Sequence, residues 1–297
     1  MVAVLIFAAV GSQAHTVSNQ VYDPYFLGYE SEPCMDLGGR DIATLDSAAC
    51  RIAGLALYTK KLHYIQPVYE FIFALGLSTV QHEVMGHGGR AREYNLDPTY
   101  GFGLDFSGYT SIDKDPESNE QNIMLAAGGT EADGVMGHRI LLNLYTGEGA
   151  DGALVPLMAI AKIDFSIYIF STSDPSGSED NFRDDYTNGN DIAYYFISRQ
   201  AQRRGGDPAQ VWDNEYAFDV TDPAMKKNYD AAQAAAIWNL VDPSALFCWV
   251  GYALDHVVKG KARIKPPYLP FGDGFGLTVG TRGALGPEEV TRFLDVY

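Results

Sequence analysis

The sequence predicts a mainly α-helical protein with a small β portion (α+β), and three observations support this. Apolar-rich stretches long enough for central, buried helices recur at 65–86, 119–145, 151–171 and 229–259. Glycine and aromatic residues interleave, as in strand pairs or extended segments, at 99–112 and in the Pro/Gly-rich tail 266–287. Apolar residues make up 46% and charged residues 20% of the 297, which suits a globular chain and excludes a disordered one.

In chain order, residues 15–50 read as loop-rich, with Pro24, Pro33, Gly38 and Gly39. Helices are expected at 51–60 and 65–86. Pro67 falls in the first turn of the second, where a missing N–H costs little. The polar turn 113–120 precedes the helix 119–145, with Ser118 or Asn119 as its cap. Helices at 151–171 and 191–204 follow, separated by the acidic loop 173–190, and Asn190 or Asp191 caps the second. That loop lacks EF-hand spacing and reads as solvated surface. A last long helix is expected over 229–259, then a short hairpin or extended cover in the tail.

The formal net charge is −17, and the longest basic run, Lys259–Lys265, is short. This balance argues against nucleic acid or an anionic lipid surface as partner. Residues 1–14 are almost wholly apolar and end in small residues, like the core and cleavage end of a secretory signal. The expectation is a secreted or periplasmic protein, with 15–297 forming one predominantly helical domain. Residues 152–170 come closest to a membrane span, but Lys162 and Asp164 near their middle favour a buried core helix; membrane association is not favoured. Cys34 and Cys50 can either pair in an oxidising compartment or stay free, and Cys248 sits in an apolar run as packing.

The chemistry concentrates in QHEVMGHGGR. His82 and His87 stand late in an apolar helix with Glu83 beside the first. A buried glutamate needs a partner or a metal, and a metal would take both imidazoles as neutral ligands. Residues four apart on an α-helix differ by about 40° around the axis, five apart by about 140°. A one-residue π-bulge, or unwinding at Gly86 with Gly88 and Gly89 beyond it, would bring the rings together. The four residues Val84–His87 recur as Val135–His138, again placing a Gly-His pair on a helix near acids. His63 and His256 read as structural, and His15 as without a role.

The string His82-Glu83-Val84-Met85-Gly86-His87 resembles the HExxH motif of the zincin metallopeptidases, as a variant HExxxH. The stretch Gly128-Gly129-Thr130-Glu131-Ala132-Asp133 is similar to the downstream helix by which gluzincins supply a third ligand. The resemblance covers roughly 80–140. It implies one Zn²⁺ held by His82, His87 and Glu131, with Asp133 orienting a histidine. It also implies Glu83 as general base in the hydrolysis of a peptide or protein substrate. Oxyanion donors would come from His138, Tyr109 or Arg90, with His138 alternatively a further ligand or a ligand to a second metal. The segment 99–110 would offer an edge strand to an extended peptide. Three other readings remain: a two-metal carboxylate/histidine enzyme, in which Glu83 and His87 at i,i+4 point at one ion; a non-enzymatic exported helical protein with a polar core; and a membrane-embedded peptidase.

Overall fold

The computed structural model describes residues 34–58, 65–146, 149–272 and 275–297; the signal-like segment 1–14, His15 and His63 lie outside them. The architecture is mainly helical with small two-stranded antiparallel sheets. Helix α1 (Met35–Tyr58) is longer than expected, taking up half of the stretch read as loop. Gly38 and Gly39 cause this difference: a Cβ on Gly38 would lie 2.5 Å from Met85 and one on Gly39 3.2 Å from Met136, so they serve close helix packing rather than a turn.

Helix α2 (Gln66–Val80) begins with Pro67 in its first turn and runs without a break into a π-helical segment, Gln81–His87, and then α3 (Gly88–Glu93). Strands β1 (Pro98–Phe102) and β2 (Gly108–Ile112) form a hairpin. Helix α4 (Asn119–Tyr145) is capped by Ser118, whose side chain accepts from the Gln121 N–H. After β3 (Ala150–Asp151) comes α5 (Leu154–Ser171). The loop expected at 173–190 contains a short helix, α6 (Glu179–Thr187), capped by Ser178 and anchored by Phe182 and Tyr186, both fully buried. Asn190 caps α7 (Asp191–Arg204) with two backbone bonds, leaving Asp191 free for other work.

Helix α8 (Pro208–Trp212) is a single short piece. The helix expected at 229–259 is three elements: α9 (Pro223–Leu240), α10 (Pro243–Gly251) and a second π-helical segment, Tyr252–Val258. The break falls at Asp242-Pro243, where Asp242 caps the new helix and proline occupies its first turn. The tail folds as β4 (Arg263–Ile264) on β3, the hairpin β5 (Leu269–Gly272)–β6 (Phe275–Leu277), and the hairpin β7 (Val279–Leu285)–β8 (Val290–Val296).

Cys34 and Cys50 are both free thiols. The α1 helix separates them, at a rise of about 1.5 Å per residue, far beyond disulfide reach. Cys248 is buried in the core, as expected.

Two large apolar clusters build most of the interior, beside a small one of Ala91, Leu96 and Leu125. One joins Ile123 and Ala127 of α4 to Phe165 and Ile169 of α5 and to α7 and α9. The other joins Met136 and Ile140 of α4 to Leu157, Met158 and Ala161 of α5 and to α1, α2 and α10. Helices α4 and α5 pass through both, and between their two sets of anchors they bring Asp133 and Asp164 to the site.

Candidate metal centre

The π-helical segment sets the geometry. The Gly88 N–H bonds to the Glu83 carbonyl, five residues back, so the turn closes one residue late. That extra residue brings His82 and His87 to the same side, with ring centroids 4.9 Å apart and edge-to-face. Of the two distortions open to the sequence, the π-bulge is the one present.

Close approach of α4 completes the arrangement. A Cβ on Gly86 would lie 2.6 Å from the Gly128 carbonyl oxygen and the Gly129 Cα, and one on Gly129 would lie 2.2 Å from His82 Nε2. The two backbones touch where these glycines meet, which brings Asp133, one turn on, to the His82 ring.

Each imidazole is held through Nδ1. His82 Nδ1 lies 3.3 Å from Asp133 Oδ2 and 3.3 Å from Asp164 Oδ2, and its ring stacks on Tyr168 at 5.1 Å. Ser78 donates to the other oxygen of Asp133. His87 Nδ1 lies 2.7 Å from the Leu125 carbonyl oxygen, an acceptor, so that nitrogen carries the proton. Both Nε2 atoms then turn to one carboxylate oxygen: Asp191 Oδ2 is 3.2 Å from His82 Nε2 and 3.2 Å from His87 Nε2.

Among the described residues two groups can hold a metal ion, His82–His87–Asp191 and His82–Asp133–Asp164, each with its donor atoms within 4.8 Å of one another. The donor set suits a divalent cation, because both His Nε2 atoms and a carboxylate oxygen converge. In the second group, Asp164 Oδ2 lies on the Nδ1 side of His82. It is buried and has no hydrogen-bond partner, despite its closeness to His82.

The electrostatics describe a cluster balanced by protons. Burial opposes charging His82, but Asp164 and Asp133 hold its ring well above the ordinary histidine value. Burial likewise opposes charging His87, and Asp191 outweighs it. Burial disfavours the Asp191 carboxylate too, yet the two rings hold it below the usual carboxylate range. For Asp133, burial and then Asp164 raise the value to about 7. A cation entering here would displace protons from the rings.

Glu83 is buried beside this group, under β2. Thr110 Oγ1 donates to its carboxylate at 2.8 Å, and Gly108 passes close to its Cγ. Glu131 is not brought into the group. It lies on a neighbouring face of α4, where Arg90 binds its carboxylate, through Nε at 3.1 Å and through a second nitrogen. His138 is also elsewhere, 3.0 Å from the Tyr297 hydroxyl and 3.7 Å from Asp295. Tyr109 is exposed on the hairpin over Gly101, and Arg90 is committed to Glu131 and Glu93. His256 is buried against Glu70, in keeping with a structural role.

Sequence reasoning missed Asp164, Asp191 and Tyr168 as members of the site. Asp164 carried a signal, since a carboxylate inside an apolar helix requires a partner. Asp191 was masked by its position at a helix start, where acids are ordinary. No family model, no curated protein and no solved structure matches this chain.

Proposed function

We propose that the protein is a metal-dependent hydrolase acting on peptides, with Zn²⁺ held by His82, His87 and Asp191. The observation that carries this reading is the convergence of both Nε2 atoms on one Asp191 oxygen. In this reading Asp191 takes the place that the resemblance assigned to Glu131. Bound there, zinc would supply Lewis acidity and a water whose pKa falls to about 7.

The chain's own residues do the rest. Asp133 accepts from His82 Nδ1, and the Leu125 carbonyl accepts from His87 Nδ1, so each ring presents Nε2 as a neutral ligand atom. Glu83, oriented by Thr110, takes a proton from water and returns it to the leaving amine. The β1–β2 hairpin over Glu83 offers its edge to an extended peptide backbone.

A two-metal reading rests on the second group, Asp133 with Asp164, but it would draw on His82 a second time, through Nδ1. Elemental analysis of the purified chain separates the readings: one zinc per chain is expected, and two iron or manganese ions would support the alternative. Asp191→Ala is expected to lose the ion and Glu131→Ala to keep it. Glu83→Gln should keep the ion and lower peptide hydrolysis by at least a hundredfold, in the range typical of a general base. Full activity in that variant would remove Glu83 from the mechanism.

A further inference from the structure

Three neighbouring helical elements turn apolar side chains to the outside at helical spacing. Val68 and Ile72 do so on α2, Ile163 and Ile167 on α5, and Val250 and Leu254 on α10 and the π-helical segment after it. All six are between 38% and 59% exposed, so none is a core residue with an edge showing. The elements lie side by side. Phe71 of α2 stacks on Trp249 of α10 at 5.6 Å, and Lys162 of α5 reaches Asp242 at the start of α10 at 2.7 Å.

The ionisable side chains of these elements point elsewhere. Glu70 of α2 is buried against Tyr252 and His256. On α5, Lys162 is buried with Asp242, and Asp164 belongs to the metal centre. Asp255 is the exception and sits at the end of the face, bound by Lys259 and Lys261. A helix packed on a water-soluble core places its polar residues outward; here the arrangement is reversed on three adjacent elements.

Charge is also distributed along the face. The chain as a whole is acidic, yet the end where the second π-helical segment stops is followed by Lys259, Lys261, Arg263 and Lys265. Gln66, at the start of α2, lies 2.8 Å from His256 at this same end. The acidic segment 173–190 follows the opposite end of α5. Net charge alone argued against an anionic lipid surface; the local distribution reverses that argument.

We propose that this face is seated in the hydrocarbon of a lipid bilayer, with its basic end among anionic headgroups. Hydrocarbon accepts an apolar face without asking for polar partners, and anionic lipid matches the basic end. The inference does not rest on the hydrolase reading, because Glu83→Gln should bind lipid as the unaltered chain does.

The test is flotation of the full chain, purified in mild detergent, with vesicles of phosphatidylcholine alone or with phosphatidylglycerol added. Binding to both is expected, stronger with phosphatidylglycerol and resistant to molar salt. The triple variant Ile72→Asn, Ile167→Asn, Val250→Asn keeps residues 1–33, and should lose at least tenfold in partitioning while keeping its circular dichroism. A measurement on the unaltered fold stands beside it: lipids brominated on their acyl chains should quench a tryptophan component that Trp249→Phe removes. A chain that stays in the aqueous layer, is stripped by salt, floats equally well as the triple variant, or buries the face in a dimer indifferent to vesicles would overturn the proposal.

Discussion

Lys162 and Asp164 stand two residues apart in the long apolar helix α5, and each has found a different solution to burial. Lys162 pairs with Asp242 at 2.7 Å and donates to the Thr281 carbonyl, tying α5 to the start of α10 and to β7. Removing one partner of such a pair leaves the other charge uncompensated, so Asp242→Ala should cost about 3–5 kcal/mol in denaturant unfolding. His256 offers a pH-dependent case. Burial opposes its charged form, but Glu70 outweighs that and raises its pKa above the ordinary value. A raised folded value means that the pair's stabilisation is fully present below about pH 6.5 and fades as pH climbs through the folded value. The stability difference between the unaltered chain and His256→Gln should therefore be largest in mild acid and shrink in alkali. A difference that grew with pH would mean the pair does not stabilise as an ion pair.

At the scale of elements, the π-helical segment Gln81–His87 and the α4 glycines act together. The segment turns His87 towards His82, and Gly129 makes room for the His82 ring. Gly129→Ala would place a methyl group on Nε2, so the ring must move off Asp191. The expected result is a loss of metal affinity of at least tenfold with little change in helix content, measured by metal titration and circular dichroism. Part of this element was legible beforehand: two histidines five residues apart in an apolar helix, followed by glycines, can share a face only through a distortion of this kind. The third carboxylate was not legible. Glu131 had the right type on the right helix, but its place beside Arg90 depends on how α3 rotates against α4, and no local pattern encodes that. Asp191 reaches the site from α7 across a long stretch of chain, and from sequence it was indistinguishable from an ordinary helix-start acid.

For the whole molecule, the helical class and most helix positions followed from hydrophobic periodicity, because long apolar faces must be buried wherever they finally pack. The reading failed where glycine served packing rather than turning, as at Gly38 and Gly39, and where Asp242-Pro243 began a new helix inside an apolar run. The candidate metal centre lies where the two apolar clusters meet along α4 and α5, so an ion there would couple them. Stripping the ion with a chelator should lower the melting temperature, and restoring zinc should recover it; at a free-ion concentration a hundred times the dissociation constant, linkage gives about 2.7 kcal/mol. A melting curve indifferent to chelator would speak against a resident ion.

The surplus residue between His82 and His87 also ties local chemistry to global phase. Deleting a single codon there would relax the wide turn into a regular one and restore four-residue spacing between the imidazoles. It would also swing α2 by about 100° against everything downstream. Glu70 would then leave Tyr252 and His256, and the outward stripe of Val68 and Ile72 would rotate into its neighbours. The irregular turn is thus the setting that keeps two ends of one rod in register, and it cannot be regularised at one end without misaligning the other.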